Sequence, residues 1–146
     1  MPLICRLLVL GTATLSCAGP ARAACTIELS PVAFDVVDTR QTSRGTGEVV
    51  VRCDTTASFE VGISSGGGSG ATRRMDGPGT ARLDYRLFSD AGRAVLWGDG
   101  GSLGAPVTAA SDGGEPKRLT IYGEVPAQSG VEAGDYLDSL EVTLTF

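Results

Sequence analysis

The chain has 146 residues, with 17 acidic and 12 basic side chains, no histidine and a formal net charge of −5. The length suits one domain, and the lack of histidine excludes a Ser-His-Asp triad, a Cys-His dyad and an imidazole zinc site. The acidic balance argues against a nucleic-acid partner, because such a chain repels phosphate backbones. Glycine is frequent, at 21 residues, and 42% of the chain is apolar. We therefore expect a small globular domain with glycine-rich turns.

Residues 1–23 have the features of a secretory signal peptide. Arg6 precedes a short apolar run, and Ala21-Arg22-Ala23 offers a small-x-small cleavage site. The run is too short to span a membrane, which takes about 20 apolar residues. A lipid anchor at Cys17 is the less favoured alternative, because Leu15 is not at the position where a lipoprotein cleavage site carries its leucine. Cleavage after Ala23 would leave residues 24–146 as one exported domain.

Two cysteines, Cys25 and Cys53, remain after the predicted cleavage. In an exported chain they most simply form one disulfide, which would close a loop of about 28 residues and stabilise the fold by about 3 kcal/mol in the chain-entropy model. The alternatives are a free nucleophilic thiol and a metal-binding pair. The lack of histidine and the oxidising compartment favour the structural disulfide.

Apolar and polar residues alternate with a period of two along most of the exported segment. Five runs show this pattern, which is typical of strands with one buried face: residues 48–53, 58–63, 83–87, 118–121 and 139–146. Glycine-containing turn clusters separate them, and no stretch of a dozen residues has the pattern and caps of a helix. The sequence predicts an all-β, antiparallel sandwich or barrel.

The glycine-rich segment of residues 64–70 does not match a phosphate-binding loop. Such a loop needs a lysine directly after its glycines, whereas the only lysine in the chain is Lys117. We interpret the segment as a flexible turn. The neighbouring pair Arg73-Arg74 is expected to be a solvated strand or loop feature and not a ligand site.

The aspartates do not form a local catalytic pair. Asp35 and Asp38, like Asp135 and Asp138, are three residues apart, so along a strand their side chains would point to opposite faces. The alternating carboxylates of a calcium loop and the G-x-S-x-G motif of a nucleophile elbow are both absent from the sequence. These observations predict a protein that is not an enzyme and that binds no cofactor or metal.

Trp97-Gly98-Asp99-Gly100 is a distinctive tetrad with two interpretations. The tryptophan could be a core side chain that enters a tight turn, where the glycines supply unusual backbone conformations. It could instead be exposed and stack on a sugar. We favour the core interpretation, because a large aromatic side chain is more often buried.

Several motifs, taken in order, resemble the spore coat protein U domain, which is also the subunit fold of archaic chaperone–usher pili. The resemblance spans residues 25–146. Its parts are Val32-Ala33-Phe34-Asp35 after Cys25, residues 47–53, residues 83–88, the tetrad Trp97-Gly98-Asp99-Gly100, then Tyr122, Gly123 and Pro126, then Gly134, Tyr136 and Asp138, and a terminal alternating run that ends at Phe146.

The resemblance implies an incomplete immunoglobulin-like β-sandwich that lacks its final strand. A periplasmic chaperone would fill the resulting hydrophobic groove, and the N-terminal extension of a neighbouring subunit would replace the chaperone at the outer-membrane usher. The last run supplies the candidates for the terminal strand and groove lining, which could equally be ordinary core: Leu140, Val142, Leu144 and Phe146.

The resemblance thus implies a secreted, non-catalytic structural subunit that passes through the periplasm to the cell surface, as part of a pilus or coat. Its partners would be a chaperone, an usher and other subunits. After the predicted cleavage only Ala24 precedes Cys25, so no donor segment is evident and a strand acceptor or chain-end subunit is expected. The alternative is a small secreted carbohydrate-binding sandwich that uses Trp97 or Tyr122.

Overall fold

The computed structural model describes residues 23–146, so the predicted signal peptide lies outside the described residues except for Ala23. No helix in the described part is long and apolar enough to cross a membrane. The described chain forms eight strands and one short 3₁₀ turn, Gly101–Leu103: β1 (Cys25–Ala33), β2 (Ser43–Cys53), β3 (Thr56–Ile63), β4 (Arg73–Asp76), β5 (Arg82–Phe88), β6 (Val107–Asp112), β7 (Lys117–Val125) and β8 (Val142–Thr145).

The strands form two antiparallel sheets that pack as a sandwich. One sheet has the order β1-β2-β7-β5-β4, and the other has the order β6-β3-β8. The all-β prediction is confirmed, and the five alternating runs correspond to β2, β3, β5, β7 and β8. The last run was predicted too long, because only Val142–Thr145 pairs with β3, which leaves Leu140 and Phe146 outside the strand.

The alternation of side-chain direction along the central strands determines which residues form the core. One side chain in two on each central strand points between the sheets, where it is removed from water. Burying a Val, Leu or Phe side chain in this way contributes about 1.5–3 kcal/mol. The strands β2, β3, β5 and β7 contribute the following residues to the core cluster: Val49, Val51, Cys53, Phe59, Val61, Ile63, Leu83, Tyr85, Leu87, Ile121 and Val125.

The predicted disulfide between Cys25 and Cys53 is confirmed, with an S–S distance of 2.04 Å. The two residues face each other directly across the β1–β2 ladder. Backbone hydrogen bonding continues beyond the disulfide, because Asp54 N donates to Ala24 O at 3.0 Å. The disulfide therefore fastens the start of the edge strand β1 to the end of the neighbouring strand β2.

Trp97 is a core residue, as the favoured interpretation predicted. It is 1% exposed, and its Nε1–H donates to Val61 O at 2.8 Å. Gly98 is also required by packing, because a Cβ there would lie 2.7 Å from Gly104 O. The burial of Trp97 shows that the alternative, an exposed tryptophan that stacks on a sugar, is wrong.

Arg73 corrects the expectation of a solvated arginine pair. Its side chain is fully buried, with Nε donating to Ser64 O at 2.9 Å and Nη2 donating to Ile63 O and Trp97 O, each at 2.9 Å. The alternation of β4 turns this side chain inward, and the three carbonyls compensate for part of the lost hydration, since Nη1 has no hydrogen-bond partner among the described residues. Burial lowers the pKa of Arg73. Arg74 points outward and pairs with Asp84 at 3.0 Å.

Candidate functional site: an apolar cleft between two edge strands

A cleft of about 1220 Å³ lies between β1, at the edge of the five-stranded sheet, and β8, at the edge of the three-stranded sheet. Residues 29–39 form its first wall, and residues 131–142 form most of its second wall. Core side chains form the floor, so the interior of the sandwich is open along this line. The floor residues are Ile63, Met75, Leu83, Tyr85, Leu87 and Ile121.

The first wall exists because β1 loses its regular pairing. The β1–β2 register shifts between Ser30 and Ala33, and the following side chains turn toward the interior. Phe34 packs edge-on against Tyr85, with the ring centroids 6.1 Å apart. A Cβ on Gly123 would lie 2.6 Å from the Phe34 ring and 2.7 Å from a methyl of Val32. Gly123, a residue of the predicted motif, therefore leaves the space that Phe34 and Val32 fill in this wall.

Asp138 ties the second wall to the rest of the sandwich. The Tyr85 hydroxyl donates to Asp138 Oδ2 at 2.7 Å, and Gly67 N donates to Asp138 Oδ1 at 3.2 Å. Burial, followed by the hydrogen bond to Asp138, raises the pKa of Tyr85 well above its usual range. Leu137 and Asp76 exchange backbone hydrogen bonds of 2.7 and 2.9 Å. Asp138 thus joins the cleft wall to the core and to the glycine-rich loop.

Gly134 and Tyr136 shape the turn that leads into this wall. The Tyr136 hydroxyl donates to Glu132 O at 2.7 Å, and its ring lies where a side chain on Gly77 would stand. A Cβ on Gly134 would approach Pro78 to 2.8 Å. Both predicted motif residues line the cleft together with Asp138.

The structure divides the four predicted groove residues. Leu140 and Val142 line the cleft, and Leu144 is half-buried against the core. Phe146 lies beyond the strand and is 67% exposed. On one side β8 pairs with β3, from Ile63↔Val142 to Glu60↔Thr145. Its other backbone edge has no strand partner within residues 23–146.

The remaining motif residues lie away from the cleft. Tyr122 is on the outer face of the five-stranded sheet, where the Arg93 guanidinium is 5.7 Å from the ring centroid. Pro126 follows β7, and its carbonyl accepts a hydrogen bond from Gln128 Nε2 at 3.2 Å. The turn formed by Trp97, Gly98, Asp99 and Gly100 is not among the cleft-lining residues.

Sequence reasoning missed the first wall as a functional element. Three large apolar side chains on the rim are unusually exposed: Leu29 at 54%, Val36 at 96% and Leu137 at 78%. A rim of this kind marks a surface that a partner covers. The segment 29–37 does contain several apolar residues in the sequence. Their position opposite residues 131–142 becomes visible only when the two sheets are packed together.

The model of the Spore Coat Protein U domain matches residues 11–143. The chain belongs to this family. Protein U of Myxococcus xanthus is 32% identical to this spore coat protein U domain over 110 residues, which cover 70% of the chain and 60% of the relative. The chain therefore spans less than two thirds of that protein's length.

A solved structure supports the fold of this spore coat protein U domain. It is a chain from the CsuC–CsuE chaperone–tip adhesion subunit pre-assembly complex of the archaic chaperone–usher Csu pili of Acinetobacter baumannii. The TM-score is 0.61 at 17% identity, and the match covers 86% of the present chain and 40% of the other. The predicted immunoglobulin-like sandwich is confirmed by this likeness.

Proposed function

We propose that the protein is a non-catalytic structural subunit of a surface pilus or coat, and that its cleft accepts an extended segment of a partner. One observation carries this proposal: an apolar cleft with a floor of core side chains reaches the start of β8 at Val142, and the outer backbone edge of β8 has no strand partner within residues 23–146. Membership of the spore coat protein U family supports the structural role.

Strand addition is the binding mode that suits this geometry. An extended segment beside β8 would exchange main-chain hydrogen bonds with its edge, while alternate side chains would enter the cleft. The segment would cover the exposed side chains of Leu29, Val36 and Leu137. Burying the almost fully exposed Val36 would contribute about 1.5–3 kcal/mol, and the partly covered Leu29 and Leu137 would contribute proportionately less. It would also close an edge that otherwise favours aggregation.

The proposal includes a route and a set of partners. The predicted signal peptide would direct export, a periplasmic chaperone would occupy the cleft first, and another subunit would replace it at an outer-membrane usher. The similar solved chain comes from a complex of a chaperone with a tip adhesion subunit, and we extend that arrangement to this chain as a proposal. Carbohydrate binding is not proposed, because Trp97 is buried and Arg93 covers Tyr122.

Co-expression of the full chain with a periplasmic chaperone of an archaic pilus system tests the proposal. We expect a 1:1 complex on size-exclusion chromatography. Leu140→Glu places a charge in the cleft and should abolish the complex, whereas Val95→Glu alters another apolar side chain, 57% exposed and outside the cleft, and should preserve it. A protease-resistant monomer that binds neither chaperone nor peptide would overturn the proposal.

A further inference from the structure

The cleft has an acidic rim as well as an apolar floor. Five carboxylates are among its lining residues, and within the described chain no lysine or arginine lines it. The carboxylates lie on both walls, so they would flank an occupant on its two sides. They are Asp35, Asp38, Glu132, Asp135 and Asp138.

Two of these carboxylates already have partners. Asp138 accepts hydrogen bonds from Tyr85 and Gly67. Asp38 is paired with Arg40, at 3.0 and 3.2 Å, and that hydrogen bonding lowers the pKa of Asp38.

The other three carboxylates are exposed and have no ion-pair partner in the part of the chain that the structure describes. None of the ion pairs within residues 23–146 involves Asp35, Glu132 or Asp135. Asp35 also lines a small polar pocket with Arg44 and Arg93, but neither arginine lies within ion-pair distance of it. The first wall thus contributes one free carboxylate, and the second wall contributes two.

From this charge pattern we propose that the occupant of the cleft is an extended segment with alternating apolar side chains and with lysine or arginine between them. Side chains of a strand alternate in direction, so those between the buried ones emerge at the rim, beside the carboxylates. The rim then selects a basic segment and repels an acidic one. This inference rests on the proposed function and adds the chemistry of the partner.

The expected selectivity is moderate, because the rim carboxylates are solvated. An exposed ion pair changes affinity by about two- to fivefold. Three such carboxylates at the lower, twofold limit predict about tenfold tighter binding of a basic segment than of a neutral one at low salt. Salt should remove most of this difference, because the screening length falls from about 14 Å at 0.05 M to about 4 Å at 0.5 M.

Three synthetic peptides of about 12 residues, enough for a long strand, test the inference with the full chain. They share one alternating apolar stripe and carry lysine, serine or glutamate at the intervening positions. Fluorescence anisotropy should rank the affinities lysine, then serine, then glutamate. Protease resistance after refolding in the presence of each peptide gives the same ranking if the free protein aggregates.

A rim variant and a matched control locate the effect. The triple variant Asp35→Asn, Glu132→Gln and Asp135→Asn should lose the preference for lysine and its salt dependence. Asparagine is suitable at residue 35, because Asp35 has a φ of 49°, which asparagine tolerates. The control removes three charges at the disulfide end, through Asp54→Asn, Asp112→Asn and Glu115→Gln, and should keep the preference.

The outcomes separate the two proposals. Equal, salt-independent binding of all three peptides would show that the rim carboxylates do not select a basic segment. The proposed strand-accepting function would remain intact. An equal loss of preference in the rim and control variants would assign the effect to net charge and would also overturn the acidic rim as a selector. Failure of every peptide to bind or protect the protein would overturn the strand-accepting function, and this inference with it.

Discussion

The substitution Gly123→Ala tests how the first wall of the cleft is built. In a strand, replacing glycine by alanine normally stabilises a protein by about 0.5–1 kcal/mol, because glycine loses more conformational freedom on folding. At this position the new Cβ would stand 2.6 Å from the Phe34 ring and 2.7 Å from Val32. Such contacts force the wall to move, and overpacking of this kind costs about 1–3 kcal/mol. The net effect is therefore a destabilisation of about 0–2.5 kcal/mol.

Urea unfolding monitored by circular dichroism measures this change. Gly114→Ala, in the bend before β7, serves as the control, because its Cβ would meet only the Asp112 side chain at 3.4 Å, an ordinary contact. It should keep or slightly raise the stability. In a Phe34→Ala background, Gly123→Ala should be clearly less destabilising, because only the close contact with Val32 remains. If Gly123→Ala stabilises the wild-type protein, Phe34 does not pack against this glycine and the description of the wall is refuted.

Two further predictions concern the disulfide and the buried tyrosine. Replacing both Cys25 and Cys53 by alanine should lower the free energy of unfolding by about 3 kcal/mol, measured by urea unfolding, and an unchanged midpoint would contradict a stabilising role. The raised pKa of Tyr85 means that the folded state holds this proton more tightly than the unfolded chain. The contribution of Tyr85 to the free energy of unfolding should therefore be fully present below pH ~10 and be lost progressively as the pH rises above that value. Tyr85→Phe should reduce this decline in thermal melts, and an identical decline in both proteins would show that Tyr85 does not cause it.

The central strands were predictable because each has enough alternating residues to reveal its buried face. β2, β3, β5 and β7 were all expected from such runs, and the cysteine pair followed from the exported context. β1, β4 and β6 are not among the five predicted runs. β4 has only four residues, two of them arginines, and β6 is built from small residues, so neither carries a clear apolar pattern.

The errors came from contacts between distant segments. The burial of Arg73 depends on carbonyls of residues 63, 64 and 97, and no local pattern indicates that they converge. The register shift after Ser30, which creates the first wall, is equally invisible in the sequence. The resemblance located the motif residues Gly123 and Asp138, but only the structure shows how they hold the two walls.

The position of the disulfide has a consequence for local opening of the cleft. The bond between Cys25 and Cys53 keeps the two ends of the segment 26–52 together even where the backbone pairing of β1 with β2 is broken. The first wall of the cleft, residues 29–39, lies entirely within this closed loop. A wall that opens to admit a partner therefore stays tethered at both ends, which limits the conformations it can reach before it closes again.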